Sequence, residues 1–300
     1  MLSRMARSHT FHYVLMLMPA LILVTLFNIY PMSGIVLAFK HFNPTEGIWG
    51  SPWAGLDHFE SIVQSSESKQ ILKNTLVISV LKMITMLIVP VVFALLLNEV
   101  RIHWLKRSVQ TIVYLPHFLS WVVIAGIMRE ALGLDGVVNS MLQAWFGLEA
   151  QMFLGSNVWF RPILILSNVW KEFGFSTIIY LAALTSINPA LYEAADIDGA
   201  NRFQKMKHIT IPGISMTIVL LATLSLQGIL NAGFDQVFNL YNVLVYETAD
   251  IIDTYIYRSG LVSFQYEAAT AIGFINSVIS MLLIIITYWL AYRFAKYRIF

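Results

Sequence analysis

Residues Asn188 to Gly213 read N-P-A-L-Y-E-A-A-D-I-D-G-A-N-R-F-Q-K-M-K-H-I-T-I-P-G, a polar segment set between two strongly apolar ones. Its local chemistry is explicit. Asn188 is suited to cap a helix, and Pro189 fits the first helical position, where no backbone N–H is needed. Pro189 to Asp198 then reads as about three turns. Gly199 is free to adopt positive φ and end the helix. Asn201 is placed to cap a second short helix running to about His208. Thr210-Ile211-Pro212 is expected to break the pattern before the next apolar run. The segment therefore reads as a rigid protrusion of two short helices between two membrane spans.

Within it, Glu193-Ala194-Ala195, Asp198-Gly199-Ala200 and Ile209-x-Ile211-Pro212 resemble the EAA loop of ATP-binding-cassette (ABC) importer permeases. That resemblance implies coupling helices that dock into a cleft of a cytoplasmic ATPase. It assigns Glu193, Ala194, Ala195, Asp198, Gly199 and Ala200 to ATPase coupling. Ile211 stands where the family most often has Leu, a volume-conserving change.

Working outward, the composition belongs to a membrane protein. Hydrophobic residues make up 58% and charged residues only 12%, against about 25% charged in a soluble chain. There is no Cys, which removes disulfides, thiolate catalysis and Cys-based metal sites. No Asp, Glu, Lys or Arg lies between Arg7 and Lys40. That run is long enough for a tilted span and too long for the apolar core of a signal peptide. Pro19 and Pro31 are expected to kink it. Residues 40–73 read as an irregular exterior loop with Trp49 and Trp53 at headgroup level. Pro31-Met32-Ser33-Gly34 and Trp53-Ala54-Gly55-Leu56-Asp57-His58-Phe59 resemble permeases of oligosaccharide and complex-polysaccharide importers. Further spans are expected over Asn74–Asn98, Ser108–Met128, Pro162–Leu184, Gly213–Phe234 and Ala268–Tyr292. The 129–160 segment is similar to a sugar-permease loop and also reads as a short interfacial amphipathic helix.

The basic residues orient these six spans. With the N-terminus inside, the inner segments hold Arg4 and Arg7; Arg101, Lys106 and Arg107; Arg202, Lys205 and Lys207; and Arg293, Lys296 and Arg298. Glu46, Asp57, Glu60, Glu67, Glu149, Glu247, Asp250 and Asp253 fall outside. Both termini and the EAA loop are thus expected in the cytoplasm. No G-x-x-x-x-G-K-[ST] phosphate loop and no H-E-x-x-H metal motif occurs. No catalytic or metal residues are assigned, and nothing suggests nucleic-acid binding.

Polar residues inside the spans are candidates for the solute pathway, because such groups are costly against lipid. Gln227, Asn231 and Asp235 recur at i, i+4 and i+8 on the expected fifth span. Asn168, Lys171 and Glu172 cluster within one turn of the fourth. Trp170 or Trp121 would supply an aromatic platform for sugar. A structural alternative stands beside this: Lys171 or Lys82 pairs with Glu172 or Asp235 to hold helices together.

The expected fold is an all-α membrane protein of six helices, the type I ABC importer permease fold. Residues 1–70 form the tail, first helix and exterior loop; residues 71–293 the permease domain; residues 294–300 a cytoplasmic tail. The first helix would embrace a partner permease. The resemblance implies an ATP-driven importer of an oligosaccharide or polysaccharide fragment in a prokaryotic plasma (inner) membrane. It implies a second, non-identical permease, two ATPase subunits that bind the ATP, and an extracytoplasmic solute-binding protein. This chain then carries no cofactor and is not an enzyme. The competing class is a secondary transporter, which would show paired broken helices in related halves and would not need an EAA loop.

Overall fold

Long apolar runs leave their backbone polar groups no partner in lipid except themselves, so they become helices. The computed structural model describes residues 9–295, and among them no strand forms beyond one isolated bridge, Lys40 to Trp53. Arg4, Arg7, Lys296 and Arg298 of the charge argument lie outside the described residues. Among the described residues four helices are long and apolar enough to cross a membrane, or up to six if each of two bent helix pairs counts as one span.

Helix α1 spans His9–Val24 and continues through a π turn, Thr25–Ile29, into a 3₁₀ segment, Tyr30–Phe39. The change of register falls at Pro31, whereas Pro19 sits inside α1. Helix α2, Ser66–Glu99, begins eight residues before the expected Asn74. Ser65 caps it by accepting from Ser68 N–H, and Glu67 in its first turn complements the dipole. The 40–73 stretch is also less irregular than expected, since Asp57–Gln64 is helical.

The expected third span is not continuous. Helix α3, His103–Tyr114, passes into a 3₁₀ turn at Leu115–Phe118 around Pro116. Ser120 then caps helix α4, Trp121–Ala131, which leaves at 102° to α3. Pro116 lacks the N–H needed to extend α3, and Ser120 supplies a fresh start. Helix α5, Val137–Phe146, is the short helix of the 129–160 segment and ends at Gly147 with φ +67°. Buried Asn139 ties the following chain back, donating to Gly133 and Gln151 carbonyls and accepting from Gln151 N–H.

Helix α6, Phe160–Thr185, is the fourth span and packs along α2. Gly174 lets α3 approach it: a Cβ there would collide with the Val113 carbonyl. Helices α7, Pro189–Ile197, and α8, Arg202–Lys205, follow. The expected break at Thr210-Ile211-Pro212 is absent. A π turn, Met206–Thr210, joins α8 to α9, Ile211–Leu226, making one 25-residue helix. The extra residue in the turn lets Ile211 N–H bond back to the Met206 carbonyl, which accommodates Pro212 without a break.

The fifth span, expected to reach Phe234, ends at Leu226. Residues 227–230 form a turn, Gly233 takes φ +88°, and helix α10, Phe234–Leu240, starts anew. Short helical turns then lead to α11, Tyr266–Ala295.

The described residues divide into two compact units. One holds the chain through Gln64 with Ile256–Ile275, where Phe39, Phe59 and Phe274 meet with ring centroids 5.1–6.0 Å apart. The other holds Ser65–Tyr255 with the chain from Asn276 onward, and has two apolar cores. Ile78, Phe160, Leu164, Val237, Leu240 and Val245 form one at the start of α2 and α6. Ala94, Tyr180, Leu184 and Ile214 form the other, at the far end of those helices.

Candidate functional site

The EAA hairpin is built from its own sequence. Asn188 Oδ1 accepts from Ala190 N–H at 3.0 Å, with Pro189 in the first turn. At the far end Gly199, φ +71°, bonds through its N–H to the Asp196 carbonyl, and Ala200 N–H bonds to the Ala195 carbonyl. This is the Schellman closure, which satisfies two orphan carbonyls at once. Asn201 and Gln204 then form a reciprocal capping box, 2.9 and 2.8 Å. The two helices are braced together. Lys205 pairs with Asp196, and Tyr192 Oη lies 2.9 Å from Thr210 Oγ1. Arg202 reaches Glu99 at the end of α2, 4.0 Å away, across a cleft of about 590 Å³.

Glu193, Ala194, Asp198 and Gly199 are exposed, and Ala195 and Ala200 are half-buried. Ile197 is 89% and Phe203 66% exposed, so the tip carries apolar side chains on its surface. A Cβ at Gly199 would meet nothing within 4 Å. Its constraint is the backbone angle, not space.

The candidate pathway residues collect at the two broken spans. At the first break, Lys171 of α6 is buried and donates to the His117 carbonyl at 2.7 Å. It also pairs with Glu172 Oε1 at 3.0 Å and stands 5.8 Å above the Trp121 ring. Glu172 Oε2 takes His117 Nδ1 at 2.7 Å. Asn168 is half-buried one turn away, and Trp170 is exposed. Lys171 and Glu172 do pair, but as neighbours on α6, so the tie to the elbow runs through His117 and not through that ion pair. His117, which completes the cluster, was not singled out from sequence; the Pro116-His117 dipeptide inside an apolar run was the available signal.

At the second break the i, i+4, i+8 stripe does not exist, because no single helix carries Gln227, Asn231 and Asp235. Gln227 lies in the turn, Asn231 just after it, and Asp235 in the first turn of α10. All three are nonetheless exposed around the break. Asn231 Oδ1 accepts from Gly233 N–H at 3.0 Å and so shapes the turn. Lys82 of α2 does not pair with Asp235. It donates to the Ala232 carbonyl at 2.6 Å and to Gln236 Oε1. Gln236 in turn donates to the Leu164 carbonyl and Ser167 Oγ of α6, at 2.7 and 2.8 Å.

A polar knot at the start of α6 also escaped the sequence reading. Arg161 donates to Asn74 Oδ1 at 2.7 Å and to the Thr248 carbonyl at 3.0 Å. Asn74 Nδ2 donates to the carbonyls of Glu247 and Asp250, both at 3.0 Å. The knot anchors the segment after α10 against α2 and α6.

The family model described as "binding-protein-dependent transport system inner membrane component" matches residues 86–297. The polygalacturonan/rhamnogalacturonan transport system permease protein YteP of Bacillus subtilis (strain 168) is 43% identical, over 95% of this chain and 89% of that protein. A crystal structure of a bacterial ABC transporter that imports the acidic polysaccharide alginate contains a chain with TM-score 0.86 and 44% identity, covering 94% of this chain and 95% of that one. A second alginate transporter structure, in complex with an alginate pentasaccharide-bound periplasmic protein, matches with TM-score 0.86 and 43% identity, over 95% of each chain. With this helical order, the braced EAA hairpin and these matches, the chain belongs to the binding-protein-dependent transport inner-membrane components: it is a multi-pass permease subunit of an ABC importer, working with a second permease, a solute-binding protein and ATPase subunits that hold the ATP.

Proposed function

We propose that this permease carries an oligosaccharide or polysaccharide fragment, of an acidic kind, into a prokaryotic cell. The observation that carries this reading is the gathering of polar and aromatic side chains at the elbow between α3 and α4 and at the turn after α9, which itself runs on from the braced hairpin. The substrates of the relatives, polygalacturonan or rhamnogalacturonan and alginate, supply the acidic class.

In this reading Glu193, Ala194, Ala195, Asp198, Gly199 and Ala200 meet the ATPase. Because α8 runs into α9 without a break, a push on the hairpin moves the fifth span to Leu226 as one rod. The unwound stretch beyond it, with Gln227, Asn231 and Asp235, takes up the motion beside the solute. Asn168, Lys171 and Glu172 face the same path from α6. Both termini and the hairpin lie in the cytoplasm, and the second permease is non-identical. Residues 71–293 act as the permease domain, residues 1–70 as its leading segment and residues 294–300 as a tail. None of the 18-residue apolar window of the first span is buried in the isolated chain, which supports its embracing the partner permease.

The test is reconstitution of the full assembly in proteoliposomes with its binding protein. ATP-dependent uptake of a short oligogalacturonate or oligoalginate is expected. No uptake of either, with a competent assembly verified by ATP hydrolysis, overturns the saccharide reading.

A further inference from the structure

We propose that the elbow between α3 and α4 is a saccharide subsite, in which His117 contacts a sugar hydroxyl through Nε2 and Phe118 offers a ring face to the pyranose. This rests on the importer reading and names residues that reading does not.

The imidazole is held from two sides. Its Nδ1 lies 2.7 Å from Glu172 Oε2, and its plane stacks on Phe175 at 3.9 Å with only 3° between the rings. Its own backbone carbonyl is fixed by Lys171. Each oxygen of Glu172 already has a partner, Lys171 on one and His117 on the other, so the carboxylate is held in place and orients the ring. With Nδ1–H donated to that carboxylate, Nε2 is the open nitrogen, and among the described residues nothing bonds to it. It accepts from a hydroxyl when the ring is neutral. A hydrogen-bonding atom so fixed, with no protein partner, is arranged for a ligand.

Depth argues the same way. Lys171 is the twelfth residue of a 26-residue helix, about 16 Å from its start at ~1.5 Å per residue. Charged groups there are strongly disfavoured against lipid and face a partner or a water-filled path. His117 and Glu172 keep 29% and 28% of their side chains open, so that opening looks onto water, solute or the second permease. Phe118 is 72% exposed, edge-on to His117 and next to the bend. An apolar ring face beside one rigid hydrogen-bonding atom is what the mixed surface of a pyranose requires.

The test uses the absence of native Cys. Val122→Cys, at an exposed position in the first turn after the bend, is placed in the assembled transporter and its alkylation by a small maleimide is timed. A short oligogalacturonate or oligoalginate, whichever the wild-type assembly imports, should slow labelling several-fold, while a maltooligosaccharide of similar length should not. Adding His117→Phe, which retains the stack on Phe175 and removes Nε2, should abolish that protection with the assembly still co-purifying. Labelling equally fast with and without the imported oligosaccharide overturns the subsite. So does protection that survives His117→Phe. Should His117→Phe fail to assemble, Val122→Cys protection alone decides. A wild-type assembly that imports no saccharide rejects the saccharide reading instead, which is a separate result.

Discussion

The two broken spans solve one problem in two ways. Where a span is interrupted, carbonyls outside regular helix have no intrahelical donor and need another one. In both cases an unbroken neighbour sends in a buried lysine: Lys171 of α6 to the His117 carbonyl, Lys82 of α2 to the Ala232 carbonyl. They differ in what else the ammonium meets. Lys171 has a carboxylate and, through it, an imidazole that is partly open. Lys82 has an amide, Gln236, which is itself fully committed to α6 and is packed beside Val237 and Leu240. The first break is charged, paired and accessible. The second is sealed, and its exposed polar groups sit on the flanking chain. The same device is therefore left partly open in one place and enclosed in the other.

The largest test of that distinction is Lys82→Met. It strands the Ala232 carbonyl and Gln236 Oε1, at about 1–3 kcal/mol for each buried acceptor left unmade. Gly233 leaves little room for a larger replacement, since even a Cβ there would stand 3.1 Å from Lys82 Nζ. The expected result is a lowered unfolding temperature in detergent and reduced membrane abundance, read by fluorescence-detected gel filtration. A stable, abundant Lys82→Met protein with altered solute preference would reverse the assignment and make the second break the site.

Next in size is Gly199→Val, which lies far from both lysines. A β-branched residue at φ +71° costs about 1–3 kcal/mol of local strain, but the side chain meets open space. The two breaks should stay intact and the protein should insert normally. ATP hydrolysis by the assembly should continue while uptake falls. If abundance falls instead, Gly199 is only a helix stop, and the separation between a coupling end and a solute end is lost.

How much of this was legible follows the range of the interactions. The hairpin could be read residue by residue because Asn188, Gly199, Asn201 and Gln204 act on backbone groups within a few positions. Hydropathy likewise placed the fourth and sixth spans to within a few residues, and the end of the second, whose helix begins eight residues earlier than expected. The breaks could not be read that way. What makes an interrupted span tolerable is a donor 54 residues away for His117 and 150 residues away for Ala232. Local cues existed, in Pro116 with Ser120 and in Asn231-Ala232-Gly233, but an apolar window averages them away. The π turn before Pro212 misled in the opposite direction, since a proline that ends most helices is absorbed here by one extra residue.

Single-Cys labelling sharpens the comparison by fixing the side of the membrane from which each break is reached. Glu67 and Val243 are exposed on the side assigned to the exterior, and Gln204 is exposed on the hairpin. Cys at Glu67 or Val243 should react in intact cells with an impermeant thiol reagent, and Cys at Gln204 only after permeabilisation. Reaction at Gln204 from outside would invert the topology and separate the hairpin from any cytoplasmic ATPase.

The smallest expected effect concerns the chain around the sealed break. Gln227 is exposed in the turn after Leu226, whereas Asn231 spends its carbonyl oxygen on Gly233 N–H. The two residues should therefore behave differently, although sequence spacing had made them equivalent members of one stripe. Gln227→Ala removes a side chain that holds nothing else in place. It should lower uptake by the worth of one hydrogen bond, about 1 kcal/mol or roughly fivefold, with stability unchanged. Asn231→Ala loosens the turn that presents the Ala232 carbonyl to Lys82, so it should lower both uptake and the unfolding temperature. Adding Lys82→Met to Asn231→Ala should then cost less than the sum of the two, because both act on one contact. Strict additivity would show that Asn231 acts on the solute alone. Unchanged uptake in Gln227→Ala and Asn231→Ala, singly and together, would remove this break from the path and leave the elbow of the third span as the solute site in this subunit.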